Sequence, residues 1–338
     1  MTTSPLLPFY HPSTVLLIDD NQRFLENFSL QLDQDLAVLF DHSARRGLQL
    51  LENNSGRPSL DQRCFSWQQG QKPNGDFLFR LDIALIEKEI SNADRFGEVS
   101  VVIVDYDMPE MSGLDFCKQI SGQRIKKILL TGVGDEKIAV QAFNEGIIDR
   151  FLLKSDPEIE NRNNQTIYEL QQQYVNEVSR LVQGGLALKS PEFLIDPEFS
   201  DHFFMLMKEH NIVEYYYVED PEGFLLVSDE GDLKRLLVYS EESLQRALFN
   251  IRQLQPPPDI IKSISSGRLL PWIWAAPDEF DEEDPFDWHD FLHPSKKIEG
   301  RRTWHVSLAA NPPADIEFDS RTASYSAYLD RLDQQSGR

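Results

Sequence analysis

The chain has 338 residues, enough for two domains of ordinary size that each bury a core. Asp and Glu number 56 against 33 Lys and Arg, and the resulting net charge of −23 argues against bulk nucleic-acid binding and against an anionic membrane surface. Two cysteines, Cys64 and Cys117, are too few for a disulfide scaffold, and neither a membrane span nor a secretory signal is recognisable, so we expect a cytoplasmic protein.

Strands alternate with helices over the first 160 residues. Apolar runs typical of strands buried on both faces lie at residues 14–18, 36–40, 99–104, 125–130 and 150–153. Helical patterns follow the first, second and fourth of these runs, through Phe24, Phe28 and Leu32, over 44–51 and over 135–144. The alternation predicts an α/β domain with a five-stranded parallel sheet.

An insertion separates the second and third predicted strands. Two helices, two strands and short connections would need roughly forty residues fewer than the stretch from Asp19 to Asp105 contains. We place the extra residues around 55–97. Residues 53–75 are rich in Gly, Gln, Asn and Pro and are predicted to be loop, whereas the apolar residues between Leu78 and Ile90 are predicted to form a helix.

A helical linker is predicted over residues 161–189, because apolar residues follow one another at helical spacing. The stripe consists of Ile167, Leu170, Tyr174, Val178 and Leu181. Two interpretations stay open at this point. The helix is either the last one packed on the parallel sheet, or a signalling helix that also dimerises.

Residues 190–338 are predicted to form a second, α+β domain. Strands are expected at 215–218, 224–227, 233–239 and 304–308, and helices at 199–210, 241–254 and 324–332. Residues 190–290 hold 23 acidic and 7 basic residues, so the basic face that a DNA-reading helix needs is missing. His289 and His293 have the i, i+4 spacing of zinc ligands on a helix, but no third ligand is obvious.

Carboxylate, hydroxyl and ammonium side chains stand at the ends of four of the predicted parallel strands. Asp19 and Asp20 end the first strand, Asp105 the third, Thr131 the fourth and Lys154 the fifth. The carboxyl ends of parallel strands share one edge, so these side chains should converge there. Clustered carboxylates need a cation, and hard oxygen ligands suit Mg²⁺. One carboxylate can then serve as the nucleophile in phosphoryl transfer.

Four segments in this order resemble the receiver (CheY-like) domain of two-component response regulators over residues 12–160. They are LLIDD (16–20), VDYDMPEMSGL (104–114), ILLTG (128–132) and FLLK (151–154). The resemblance implies a doubly wound, flavodoxin-like sheet with strand order 2-1-3-4-5 and a histidine kinase as partner. Ser155 departs from the proline that usually follows the lysine in this family.

The resemblance also implies a role for individual residues. Asp105 matches the phosphoacceptor. The matching Mg²⁺ ligands are Asp19, Asp20, Asp105 and the backbone carbonyl of Asp107, and the matching phosphate-binding and switch residues are Thr131, Lys154 and Phe151.

The function of residues 190–338 is open to several interpretations. We expect an output module that acts through protein–protein contacts or as a homodimer, without direct contact with nucleic acid. The alternatives are a receiver-regulated enzyme and a small-molecule-sensing, PAS-like output. The phosphoacceptor position lies unusually far along the chain, and the output that follows it has no familiar motif. This layout is also similar to that of regulators of Legionella-type α-hydroxyketone quorum sensing.

Overall fold

The computed structural model describes residues 6–55, 65–69, 77–81, 88–132, 134–154, 159–186, 191–274, 287–310 and 318–336. Their strands are β1 (Phe9–Tyr10), β2 (Thr14–Ile18), β3 (Val38–Asp41), β4 (Phe65–Gln69), β5 (Phe77–Leu81), β6 (Val99–Asp105), β7 (Lys126–Thr131), β8 (Arg150–Leu153), β9 (Ile212–Glu219), β10 (Glu222–Ser228), β11 (Leu233–Ser240), β12 (Leu269–Pro271), β13 (Leu292–Pro294), β14 (Lys296–Glu299) and β15 (Thr303–Ala310). Their α-helices are α1 (Gln22–Ser29), α2 (Ala44–Ser55), α3 (Gly113–Gln119), α4 (Glu136–Asn144), α5 (Ile159–Leu186), α6 (Pro197–Glu209), α7 (Glu241–Ile251), α8 (Pro258–Ser265), α9 (Ser320–Ala323) and α10 (Tyr325–Ser336).

The chain divides into two compact units. The parallel-sheet unit consists of His11–Arg80, Asn92–Gly184 and Tyr325–Arg338, and the antiparallel-sheet unit of Met1–Tyr10, Leu81–Ser91 and Gly185–Ser324. The first ten residues therefore belong to the antiparallel-sheet unit, and the last fourteen belong to the parallel-sheet unit. The contiguous boundaries expected from the sequence contain no such arrangement, because local patterns do not indicate which sheet a terminal segment joins.

The parallel-sheet unit has the predicted five-stranded sheet. Its strand order is β3-β2-β6-β7-β8 and every neighbouring pair is parallel, which confirms the predicted α/β class and the order 2-1-3-4-5. All residues of β2, β6 and β7 are buried, because helices cover both faces of the sheet. Continuous apolar runs therefore predicted these strands correctly.

Helix α5 packs on the same sheet as α1. Ile167 and Leu170 are fully buried in a cluster with Val15, Leu25 and Phe28, and Tyr174 and Val178 are also buried. These contacts use the apolar stripe of the predicted linker, as expected of the last helix packed on the sheet. The side chain of Leu181 lies outside the described residues.

The insertion contains a two-stranded sheet of β4 and β5. The prediction of loop over residues 53–75 is wrong at β4, and the prediction of a helix from Leu78 is wrong at β5. The physical reason lies in the period of the sequence. Aromatic residues lie two positions apart in both segments, as Phe65 and Trp67 and as Phe77 and Phe79, and this period and residue type favour strands.

The last helix, α10, closes the end of the parallel sheet where β2 and β3 begin. The Tyr325 hydroxyl donates to the Asp35 carbonyl at 2.6 Å and accepts from the Ala37 N–H at 3.2 Å. The ring of Phe96 packs against Tyr325 and Tyr328 with centroid distances of 5.1 and 5.6 Å. Helix α10 is thus part of the core of this unit.

The antiparallel-sheet unit has the sheet order β1-β9-β10-β11-β15-β14, with every neighbouring pair antiparallel. Helix α6 covers one face through Phe199 and Phe203, and α7 and α8 cover the other through Leu248 and Ile264. The predicted α+β class of the second domain is confirmed. Among the described residues, no helix combines the length and the apolar character needed to cross a bilayer.

Candidate functional site

Three aspartates meet at the carboxyl edge of the parallel sheet. Asp19 and Asp20 directly follow β2, and Asp105 is the last residue of β6, the neighbouring strand. One carboxylate oxygen from each lies within 4.8 Å of the other two. Asp19 and Asp105 are buried, whereas Asp20 is exposed. The sheet register thus brings these predicted site residues together, with one of them open to solvent.

Lys154 bridges the two buried carboxylates. Its Nζ lies 2.6 Å from Asp19 Oδ2 and 2.9 Å from Asp105 Oδ2. Burial raises the pKa of Asp105, and the nearby charge of Asp19 adds to this rise, although the bonds from Lys154 and from the Asp107 backbone oppose it. Burial lowers the pKa of Lys154, but its bonds to the two aspartates outweigh this and hold that pKa above its usual value.

The segment after β6 brings the backbone at Gly113 close to the end of that strand. The Gly113 N–H donates to the Tyr106 carbonyl at 3.0 Å. A Cβ at Gly113 would stand 2.2 Å from the Asp105 carbonyl oxygen, so only glycine fits there. The side chain of Asp107 is exposed, and its backbone N–H bonds to the Asp105 carboxylate.

Thr131 and Phe151 occupy the neighbouring strands. The Thr131 hydroxyl is fully buried, and none of the described residues forms a hydrogen bond with it. A buried hydroxyl without a partner is costly, which favours a ligand oxygen as its missing partner. The Lys154 N–H donates to the Thr131 carbonyl at 2.9 Å, and half-buried Phe151 packs against the core cluster that contains Leu129.

Sequence reasoning missed two residues at this edge, Asn21 and Phe24. The Asn21 N–H donates to Asp19 Oδ1 at 2.9 Å, and Asn21 Oδ1 accepts from the Phe24 N–H at 3.2 Å. The Phe24 ring centroid lies 4.5 Å from Lys154 Nζ. Asn21 is a favoured residue type for a helix N-cap and could have been found, whereas Phe24 is indistinguishable in sequence from any apolar helix residue.

The donor set at this edge fits Mg²⁺. It consists of hard carboxylate oxygens, one of them solvent-exposed, and Mg²⁺ is held by few carboxylates while it keeps several waters. A cation there would also relieve the repulsion between Asp19 and Asp105. The zinc interpretation of the two histidines has no helix to support it, because His289 lies in a 3₁₀ turn and His293 in β13.

Comparisons with known proteins agree with this geometry. The family model of the response regulator receiver domain matches residues 86–161. The solved structure of the Legionella pneumophila response regulator LqsR is 32% identical, with 97% of each chain covered and a TM-score of 0.73. The cyclic di-GMP phosphodiesterase response regulator RpfG of Xanthomonas campestris is 44% identical over 62 residues. That match spans 17% of this chain and 16% of RpfG.

The parallel sheet and its acidic edge define the class of protein, a response regulator with a receiver domain. Since LqsR is 32% identical along nearly the whole of both chains, this chain belongs to the same family of response regulators as LqsR. The predicted membership of the response regulators is confirmed, and the Legionella-type layout has its counterpart in LqsR.

Proposed function

We propose that Asp105 accepts a phosphoryl group from a histidine kinase in two-component signalling. The observation that carries this proposal is the meeting of three carboxylates with one bridging ammonium at the carboxyl edge of the sheet. Asp105 Oδ attacks phosphorus, the P–N bond to the kinase histidine breaks, and that histidine nitrogen keeps the electron pair. Mg²⁺, held by Asp19, Asp20, Asp105 and the Asp107 carbonyl, would neutralise charge on the transferred group.

Thr131, Lys154 and Phe151 form the switch in this proposal. The Thr131 hydroxyl, which is buried and forms no hydrogen bond within the described part of the chain, would donate to one phosphoryl oxygen, and Lys154 would pair with another. Because β7 and β8 are paired strands, a movement of Thr131 would be transmitted to β8, where half-buried Phe151 would turn inward. The surface formed by α4, β8 and α5 then changes its affinity for a partner.

In this proposal the protein works in the cytoplasm, and its output module acts through protein contacts or dimerisation rather than through DNA. The formal charge of −16 over residues 190–290 supports an output without DNA binding, because the phosphate backbone of DNA would repel such a module. The layout shared with Legionella-type regulators supports a place in α-hydroxyketone quorum sensing.

The acceptor is tested by labelling the full chain with ³²P-acetyl phosphate and Mg²⁺ and measuring acid-labile, base-sensitive phosphate. Wild type and Asp107→Asn should take up label, because the Asp107 side chain is exposed and only its backbone serves the site. Asp105→Asn should take up none. Equal labelling of Asp105→Asn would show that another residue is the acceptor.

The output is tested by light scattering with and without beryllofluoride and Mg²⁺, where beryllofluoride stands in for the phosphoryl group. A mass increase in wild type that is lost in Asp105→Asn would support dimerisation. An unchanged mass would exclude dimerisation as the response and leave contacts with a different protein.

A receiver-regulated enzyme is the second candidate, and the 44% identity to RpfG, named as a phosphodiesterase, favours it. It predicts hydrolysis of cyclic di-GMP by the beryllofluoride-loaded protein, measured by chromatography of the products. Absence of hydrolysis at micromolar enzyme would remove cyclic di-GMP phosphodiesterase activity as the output.

A further inference from the structure

We infer that Phe24 is a positioning residue for Lys154, and that its aromatic face holds the ammonium at the acceptor edge for phosphoryl transfer. This inference deepens the proposed function and rests on it. The Phe24 ring centroid lies 4.5 Å from Lys154 Nζ, within the range where a ring face attracts a cation. Both side chains are partly buried, which strengthens that attraction by limiting competition from water.

The position of the ring is fixed by the same carboxylate that binds the ammonium. Asp19 Oδ1 accepts from the Asn21 N–H, and Asn21 Oδ1 accepts from the Phe24 N–H at the start of α1. Asp19 Oδ2 in turn binds Lys154 Nζ at 2.6 Å. Asp19 thus contacts both the start of α1 and the Lys154 ammonium, and the Phe24 ring contacts the ammonium in turn. Together these contacts position the start of α1, the ring and the ammonium relative to Asp105.

The physical need for such a residue follows from the side chain of lysine. The Lys154 side chain has four rotatable bonds and is about one quarter exposed, so its ammonium can also adopt conformations that point into solvent. Holding such a side chain in one conformation costs entropy. A divalent cation at the carboxylates would also repel it. An aromatic face beside Nζ offsets both effects, because it favours the ammonium at the edge of the site without adding a charge.

The ring also packs in the core, and the test has to separate the two roles. Phe24 contacts the cluster that contains Leu25 and Phe28, and the rings of Phe24 and Phe28 lie 5.5 Å apart. Leucine at position 24 would keep apolar packing and lose the charged face of the ring. Stepwise fluorination of Phe24 keeps the size of the ring and weakens the negative potential of its face. If the ring acted only through packing, fluorination would leave phosphoryl transfer unchanged.

The first experiment measures the rate of acetyl phosphate labelling and the affinity for beryllofluoride with Mg²⁺ in the full chain. We expect both to fall progressively as Phe24 is replaced by mono-, di- and trifluorophenylalanine, with a total loss of about 3- to 10-fold that Phe24→Leu shares. Phe24→Tyr should stay within about 2-fold of wild type. The same fluorinated residues at Phe28 serve as the matched control and should leave both quantities unchanged.

A second measurement needs neither metal nor phosphate. In the metal-free, ¹⁵N-labelled protein, the Lys154 ammonium signal should carry a ring-current shift that Phe24→Leu removes and Phe24→Tyr retains. A flat fluorination series in a protein that labels normally would overturn the inference and leave the proposed function intact. A wild type that takes up no label would overturn the proposed function, while the ammonium signal still decides whether the ring holds Lys154.

Discussion

The Tyr328 hydroxyl lies 2.7 Å from Thr14 Oγ1, so the last helix of the chain is hydrogen-bonded to the first strand of the parallel sheet. Thr14 Oγ1 also donates to the Phe96 carbonyl at 2.7 Å. This small network is buried and lies at the end of the sheet opposite to the carboxylates. A segment that sequence alone assigns to the output therefore belongs to the core of the parallel-sheet unit.

Removal of residues 325–338 should destabilise the parallel-sheet unit. The deletion uncovers Phe96 and removes three buried side chains, Tyr325, Tyr328 and Leu332, so we expect a loss of at least about 3 kcal/mol in its free energy of unfolding. Tyr328→Phe removes one hydroxyl and should cost about 1 kcal/mol. Hydrogen exchange of the β2 and β3 amides in the full chain measures both effects.

Tyr168→Phe is the control for that series. The Tyr168 hydroxyl donates to the exposed carboxylates of Asp33 and Asp35, which water can solvate in its absence. We expect less than about 0.5 kcal/mol for this change. Unchanged β2 and β3 exchange after the deletion would contradict the assignment of α10 to this core.

Gly113→Ala should destabilise the fold and impair phosphoryl loading together. The added Cβ would stand 2.2 Å from the Asp105 carbonyl oxygen, and backbone must move to accept it, at a cost of about 1–3 kcal/mol. Gly122→Ala is the matched control, because among the described residues only its chain neighbours approach its Cβ position within 4 Å. Urea unfolding and acetyl phosphate labelling of the two variants should separate them clearly, and equal behaviour would refute the close approach.

Mg²⁺ should stabilise the wild-type protein and fail to stabilise Asp20→Asn. A ligand that binds only the folded state adds about 2.7 kcal/mol when its concentration is 100 times its Kd. Asp20 is the exposed carboxylate of the cluster, so its replacement takes away one proposed metal ligand with little effect on the core. Thermal unfolding with and without Mg²⁺ measures the difference. Asp107→Asn should respond as the wild type does, and an equal response of Asp20→Asn would argue against its role as a ligand.

The sequence predicted the parallel sheet and the convergence of Asp19, Asp105 and Lys154 because both depend on strong local patterns. Continuous apolar runs identify strands buried on two faces, and polar residues at their carboxyl ends meet by topology alone. The pairing of Phe9 with Tyr216 in the antiparallel sheet has no such local signal. It depends on a contact between residues more than two hundred positions apart.

Side-chain contacts at the site were harder to predict than the site itself. The helical period placed Phe24 on α1 but could not show that its ring faces Lys154, because that contact depends on how α1 and β8 pack. In the insertion, composition favoured loop over strand, since Gln and Gly outweighed the alternation of aromatic residues around Trp67.

The antiparallel-sheet unit should lose stability as the pH falls below the usual histidine pKa of about 6.5. Burial lowers the pKa of His305 by more than the Glu241 charge and a hydrogen bond with the Gly267 backbone raise it, and burial also lowers the pKa of His293. The unfolded chain therefore binds protons in a range where the folded unit does not. Stability is fully present above pH 6.5 and is lost as the pH falls through the lowered values.

Urea midpoints at pH 7.5 and 5.5, followed by tryptophan fluorescence, measure this dependence. Four of the five tryptophans, at positions 272, 274, 288 and 304, lie in the antiparallel-sheet unit, so the signal reports mainly on it. The double replacement His293→Gln and His305→Gln should reduce the loss between the two pH values. His289→Gln changes an exposed ring and should leave the loss as in wild type. An undiminished loss in the double variant would assign the acid sensitivity to other groups of the unit, among them His202, whose pKa is also lowered by burial.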